Sequence, residues 1–317
     1  MSTDADTTGV NANHVDDGVG ASSQRSRETR SLSLDVLREL AKNFGMGIPQ
    51  VRAWRLRRPR AGALYSGTDE DLVRYAFSPL RILLEVLGSV KGLDILEIGP
   101  GDFMTSGLSM LAAGAKSYSV IDRFVGDYQK PEAKIWYKGI QDEWPRFFPN
   151  LQWPDYLHAE DFPEAYADRI EILTGTIEEA SSPRQYDIVC SFQVGEHVRD
   201  IDAFAQANAK FLRPDGVAVH RVDFGPHDCW SFYQDRLTFL RFPDWLWHLM
   251  GSNRGAPNRF RYHQVCASIK NAGLKVEVSG LEHFTEDDVR NARLAKKFQG
   301  MPFESLLVGT AIFVCRP

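Results

Sequence analysis

The sequence has no apolar run approaching the roughly 20 residues that a membrane-crossing helix needs, so no bilayer-spanning segment is expected. Its first residues lack the charged and apolar regions of a secretory signal. Cysteine is scarce. Cys190, Cys229, Cys266 and Cys315 are too widely spaced for a CxxC metal or redox motif and too few for a disulfide scaffold, a pattern that suits reduced thiols in a soluble cytoplasmic protein. An excess of positive charge is also missing. The net charge of −5 over 317 residues argues against a strongly electrostatic nucleic-acid binder. What remains is ordinary globular composition, 43% hydrophobic and 25% charged, in a chain long enough for one large domain with additions or two small ones.

The chain is organised around residues 93–123. Residues 94–98 form a short, mostly apolar run suited to a strand covered on both faces, and it stops at Gly99-Pro100-Gly101. Glycine there allows a tight turn and a close approach to a ligand. A helix over 104–113, a stop at Gly114 and a second strand over 117–121 follow, with Asp122 at its carboxyl end. A carboxylate about 20 residues past such glycines is where ribose hydroxyls bind in nucleotide-binding α/β units.

Residues 1–30 carry almost no large apolar side chains and are expected to be a disordered tail. Leu34, Leu37, Leu40, Ala41 and Phe44 then repeat at helical spacing as the expected inner face of a first helix. Five arginines around Trp54 within 52–60 could grip a phosphate or another anion, or form a solvated helix face. Thr68 and Asp71 open a further helix that Pro79 divides or kinks, so that 31–90 becomes a helical block covering the ligand mouth. Two stretches interrupt the βα rhythm: 123–169, rich in aromatics and expected to hold helices of its own, and 223–262, crowded with aromatics and arginines and placed to lid the site. Strands are expected at 170–173, 186–192, 217–222, 274–279 and 306–314, with a turn at 213–216 and a helix over 285–298.

A glycine-rich turn is shared by many nucleotide enzymes, including NAD-dependent oxidoreductases. The dinucleotide pattern GxGxxG wants a small third residue, and here the sixth position is Met104. Glu97 before Gly99 makes the motif ExGxG. With Asp122, YDIVCSFQVGEHV at the fourth strand and FLRPDGVAV into the fifth, the sequence resembles class I S-adenosylmethionine-dependent methyltransferases over roughly 65–317. The resemblance implies a doubly wound, Rossmann-like α/β fold: a seven-stranded sheet of order 3214576 with the last strand antiparallel, here as a domain over 91–317 with an added N-terminal helical block and cap insertions. It implies S-adenosylmethionine as cofactor. Gly99, Pro100 and Gly101 would pass close to its methionyl part, Glu97 would brace that loop, and Asp122 with Arg123 would meet the ribose. Thr176, Ile177 and Glu178 would lie near the adenine, and Phe192 and Gln193 under the sulfonium.

Methyl transfer is an in-line displacement, so the protein must align a nucleophile and, where needed, take its proton. His197, His220, His227 and Asp223 are the candidate bases for that proton, with Glu196 directly before His197 as a further catalytic candidate. The Glu196-His197 pair has two readings, fixing its loop or acting in catalysis. Some quinone-pathway methyltransferases with a similar ExxEH stretch bind a divalent metal there; Glu196 and His197 could supply two ligands, although Gln193 replaces the first acid. No dedicated metal site is expected. The expected acceptor is a small or medium-sized molecule, partly apolar, with an anionic group suggested by Arg221, Arg236, Arg241, Arg254, Arg259 and Arg261. A nucleic-acid acceptor ranks lower, because CSFQVG stands where many base-methylating enzymes carry an NPPY-like tetrapeptide. A cofactor-binding module without turnover is the alternative from another class.

Overall fold

The computed structural model describes residues 31–56, 68–180 and 184–317. The expected tail at 1–30 and the arginines at 57–60 lie outside them. Seven strands form one sheet of order β3-β2-β1-β4-β5-β7-β6, as the sequence implied. They are β1 (Asp94–Ile98), β2 (Ser117–Asp122), β3 (Ile170–Thr174), β4 (Tyr186–Phe192), β5 (Leu212–Asp223), β6 (Lys275–His283) and β7 (Val308–Arg316). The first five run parallel, and β7 is inserted antiparallel between β5 and β6.

The helices are α1 (Leu32–Gly47), α2 (Pro49–Leu56), α3 (Asp69–Leu72), α4 (Ser78–Leu87), α5 (Thr105–Ala112), α6 (Pro131–Phe147), α7 (Ile201–Phe211), α8 (Asp244–Gly251), α9 (Tyr262–Asn271), α10 (Glu286–Arg290) and α11 (Phe303–Leu307). Thr68 caps α3 by accepting the N–H of Asp71 at 3.4 Å. A π-helical turn, Val73–Phe77, joins α3 to α4 and takes up the missing N–H of Pro79, so the helix is widened rather than broken.

Three apolar clusters result. On one face of the sheet, α4, α5 and α6 bury Phe77, Leu108, Trp136 and Trp144 against β1 and β2. On the other face α7 and α9 bury Phe204, Phe211 and Ile269. The third lies within the 223–262 insertion, where Trp230, Phe239, Phe242 and Trp247 gather with Leu32, Val36 and Leu40 of α1 and with Val289 and Phe298. The helices of 31–90 therefore pack in two places: α1 against the cap, α4 against the sheet.

Several expectations are corrected. Leu34, Leu37 and Phe44 do not face inward; they are 47%, 62% and 76% exposed. The inner face of α1 combines Val36 and Leu40 with the buried polar residues Asp35, Glu39 and Asn43. Residues 285–298 are not one helix but α10 followed by a 3-10 turn, Lys296–Phe298. Val289 and Phe298, nine residues apart, would face opposite sides of a continuous helix, and the break lets both enter the cap cluster. Residues 213–216 belong to β5 as an irregularity: Tyr186 pairs with Leu212, and pairing resumes at Ile188 with Val217. The strands expected at 274–279 and 306–314 are Lys275–His283 and Val308–Arg316.

Candidate active site

The carboxyl ends of β1, β2, β3, β4 and β5 open along one edge of the sheet, where ligands bind in open α/β folds. Gly99 and Gly101 leave β1 with φ of 68° and 84°, a region favoured by glycine. A side chain at Gly99 would stand 2.7 Å from Val194 of the β4 loop, whereas one at Gly101 would meet nothing within 4 Å. The loop is thus pressed against its neighbour at one glycine and open at the other, as a cradle for a ligand requires. Pro100 is half-buried between them.

Asp122 ends β2 half-buried, and its Oδ1 accepts the N–H of Phe124 at 2.7 Å. Arg123 points outward over the Phe124 ring. Thr176 and Glu178 are half-buried just past β3, while the Ile177 side chain is 2% exposed and packs in the second core cluster. Phe192 ends β4 half-buried, and Gln193 follows with φ 61°, its N–H bonded to the Arg221 carbonyl at 2.9 Å. These groups share one edge, which fits a nucleoside-bearing cofactor laid across β1, β2, β3 and β4. Glu97 is different: its carboxyl is buried inside the fold, where it accepts the Ser106 hydroxyl at 2.5 Å and the Tyr118 hydroxyl. Burial pushes it up despite these two donors. It anchors α5 and β2 and does not line the open edge.

The second half of the site lies at β4 and β5. Gly195 lets the β4 loop approach β5 closely, since a side chain there would stand 2.8 Å from Val222. The next residue, Glu196, is 3% exposed and neither carboxyl oxygen has a hydrogen-bond partner. Burial, with the Asp223 charge added, pushes this carboxyl up to about 8. Asp223 Oδ2 lies 3.4 Å from His227 Nε2, and its Oδ1 accepts the Gly225 N–H at 2.6 Å. Burial alone would raise Asp223, but the His227 partner holds it below the usual range. Burial likewise would lower His227, but Asp223 and then Glu196 hold it above its usual value. Ligand atoms of Glu196, Asp223 and His227 all lie within 4.8 Å of one another.

His197 is exposed; its Nδ1 lies 2.8 Å from the Gly255 carbonyl, and its ring meets that of His227 edge-on at 5.2 Å. His220 is buried, with Nδ1 2.8 Å from Ser191 Oγ, and burial lowers it to about 4. It belongs to the core rather than the open edge.

The expected anion-binding arginines are mostly spent inside the protein. Arg259 donates to the Phe242 carbonyl at 2.6 Å and to Asp244 at 2.5 Å, and Arg261 to the Phe224 carbonyl at 2.8 Å. Burial lowers them to about 10 and about 9. Arg254 pairs with Glu39 and Asp228, and Arg221 with Glu282. Asn258 carries no motif that would mark it in advance, yet its backbone N–H reaches the Glu196 carbonyl at 2.7 Å while its side chain bonds the Gly195 and Val198 carbonyls at 2.8 and 3.0 Å. It staples the cap to the Glu196 loop. Beneath the cap a cleft is lined by Glu39, His227, Asp228, Trp230, Trp247 and Arg254.

Residues 72–278 match a family model described as a methyltransferase domain. The chain belongs to this methyltransferase family. It is a methyltransferase by family, which sets aside the oxidoreductase alternative. Among solved structures, an S-adenosylmethionine-dependent methyltransferase from Mesorhizobium loti is 13% identical, with a TM-score of 0.41, covering 75% of this chain and 96% of that one. Phosphoethanolamine N-methyltransferase 2 of Haemonchus contortus, solved with S-adenosyl-L-methionine, is 12% identical, with a TM-score of 0.43, covering 76% of this methyltransferase and 52% of its own chain. At these scores the two likenesses add no weight to the family match. No curated protein matches the sequence.

Proposed function

We propose that this methyltransferase acts on a small or medium-sized, partly apolar molecule whose acceptor atom gives up a proton, and that His227 takes that proton. The observation that carries this reading is the cluster at the ends of β4 and β5: His227 on the wall of the cap cleft, Asp223 at its Nε2, and the unpartnered carboxyl of Glu196 behind them. Asp223 Oδ2 lies 3.4 Å from Nε2, which leaves Nδ1 to accept a proton, and the Asp223 carboxylate strengthens the imidazole as a base. His197 edges the same ring and helps to fix its plane. Trp230 and Trp247 line the small space beside His227.

When bound, S-adenosylmethionine supplies an electrophilic methyl group on a sulfonium sulfur. Gly99, Pro100 and Gly101 would hold its methionyl part, Asp122 with Arg123 its ribose, Thr176, the Ile177 backbone and Glu178 its adenine, and Phe192 with Gln193 the sulfonium. The open space at Gly101 and the half-buried carboxylate of Asp122 support this arrangement. The cap over 223–262, α1 and the 123–169 insertion would exclude water from the transfer. Four free thiols support a reducing, cytoplasmic setting.

The tests are direct. Gly101→Val and Asp122→Ala should each lose S-adenosylmethionine binding by calorimetry, and unchanged binding would overturn the cofactor assignment. Transfer of a labelled methyl group into cell extract, followed by identification of the product, names the acceptor. A second reading places a divalent metal in the same cluster, favoured by three ligand atoms lying within 4.8 Å of one another. That set is Glu196, Asp223 and His227, not Glu196 with His197. Metal analysis and titration with magnesium, manganese and zinc separate the two readings.

A further inference from the structure

Helix α1 turns a mixed polar and apolar face inward and leaves an apolar stripe outside. The positions it buries most deeply are Asp35, Glu39 and Asn43, spaced four apart, and each has specific partners in the cap. Asp35 accepts the Tyr233 hydroxyl at 2.8 Å, Glu39 pairs with Arg254, and Asn43 Nδ2 donates to the Leu249 carbonyl at 2.9 Å while its Oδ1 accepts the Asn253 N–H at 2.8 Å. These bonds fix the rotation of α1 about its axis. The opposite stripe, Leu34, Leu37, Ala41, Phe44 and Ile48, is left facing outward. Val51 lies beside Gly45, so α2 continues the stripe with exposed Val51 and Trp54. Phe44 is 76% exposed and Trp54 53%, more than isolated surface apolar residues require.

The charge beside this stripe is one-sided. Among the described residues of the two helices Arg38, Lys42, Arg52 and Arg55 are basic and Asp35 and Glu39 acidic, and Arg57, Arg58 and Arg60 follow in the sequence of a chain whose net charge is −5. Both acids are buried under α1, where Asp35 pairs with Arg38 at 3.2 Å and Glu39 with Lys42 at 2.7 Å, so the net positive charge on the described outer surface comes from Arg52 and Arg55. Residues 1–30 contain no Leu, Ile, Phe, Tyr or Trp, so a cover drawn from that stretch would be largely polar. A second copy meeting this face around a two-fold axis would set arginines against arginines. An apolar stripe with an aromatic residue and flanking arginines instead complements an anionic lipid surface, with apolar side chains entering the acyl boundary and guanidinium groups meeting headgroup phosphates.

We propose that α1 and α2 form an interfacial anchor that docks this face on an anionic membrane surface. No described helix is long and apolar enough to cross a bilayer, so the contact is peripheral. It is independent of the proposed base and of the cofactor assignment. The test is co-sedimentation of the full chain with vesicles of phosphatidylcholine alone and with vesicles containing about a third phosphatidylglycerol. The expected result is binding to the anionic vesicles that weakens with salt. L37E/F44E should abolish it, and R52Q/R55Q should weaken it about thirtyfold, from about 1 kcal/mol per arginine. All four positions are exposed, so both variants should keep the wild-type circular dichroism and urea midpoint. Failure of the wild-type chain to sediment with anionic vesicles at low salt would overturn the proposal. So would binding indifferent to both variants, or a wild-type dimer in light scattering that L37E/F44E dissociates.

Discussion

The phenol of Tyr118 on β2 donates to the carboxyl of Glu97 on β1, two residues before the glycine loop of the site. Both groups are buried, so the bond ties the base of the cradle to the sheet without reaching any ligand. Tyr118→Phe keeps the ring and removes the donor, leaving Glu97 with Ser106 as its remaining hydroxyl partner. The expected loss is about 1–3 kcal/mol in urea denaturation, with weaker cofactor binding as the loop loosens. An unchanged urea midpoint would contradict the bracing role.

The same tyrosine explains Gly107 on α5. A methyl group there would stand 2.2 Å from the Tyr118 ring, which is fully buried and has no room to retreat. Gly107→Ala should therefore cost about 1–3 kcal/mol through overpacking. In a Tyr118→Ala background the same substitution should cost far less, and a double-mutant cycle measures the difference.

Glu196 links stability to pH in the opposite direction from an ordinary paired acid. Its folded value of about 8 lies above its ordinary 4.5, so its contribution is complete below pH 4.5 and is lost as pH rises through about 8. Thermal scans from pH 6 to pH 9, bounds set at about two units below and one above that value, should show falling stability in the wild type and a flatter profile in Glu196→Gln. A wild-type profile no steeper than that of the variant would count against the buried carboxyl, and a metal held there would suppress the effect.

At the far edge of the sheet Asp94 behaves as the mirror case. Its carboxylate is 1% exposed and accepts Ser117 at 2.6 Å, Arg184 at 2.8 Å and Arg213 at 2.9 Å, which outweigh burial and hold it at about 2. Its contribution is present above the ordinary 3.8 and is lost as pH falls through about 2. Asp94→Asn should lower stability at neutral pH by about 3 kcal/mol, from the loss of a buried ionic partner, and should lessen acid sensitivity. Cofactor affinity at the opposite edge should be unchanged by calorimetry.

The sheet was legible because its strands are short, apolar and punctuated by glycine, and each motif sits at a strand end where topology puts it on one edge. The face of α1 was not legible. Periodicity marks Leu34, Leu37 and Phe44 as a stripe but cannot say which side faces in, and that was decided by Asn43 meeting Leu249 and Asn253 some 200 residues later. The arginines of the cap misled for a related reason: Arg259 and Arg261 look like free cations in sequence and become buried donors to backbone carbonyls in the fold. Grouping Glu196 with Asp223 and His227 needed the register of β4 against β5, which juxtaposes loops that are distant in the chain.

The insertion of β7 between β5 and β6 sets an order of assembly during synthesis. The pairing of β6 in the sheet is with β7 alone, so residues 275–283 emerge from the ribosome with no strand to join and wait for 308–316. Until then β5 presents an unpaired edge, which closes only when β7 pairs with it.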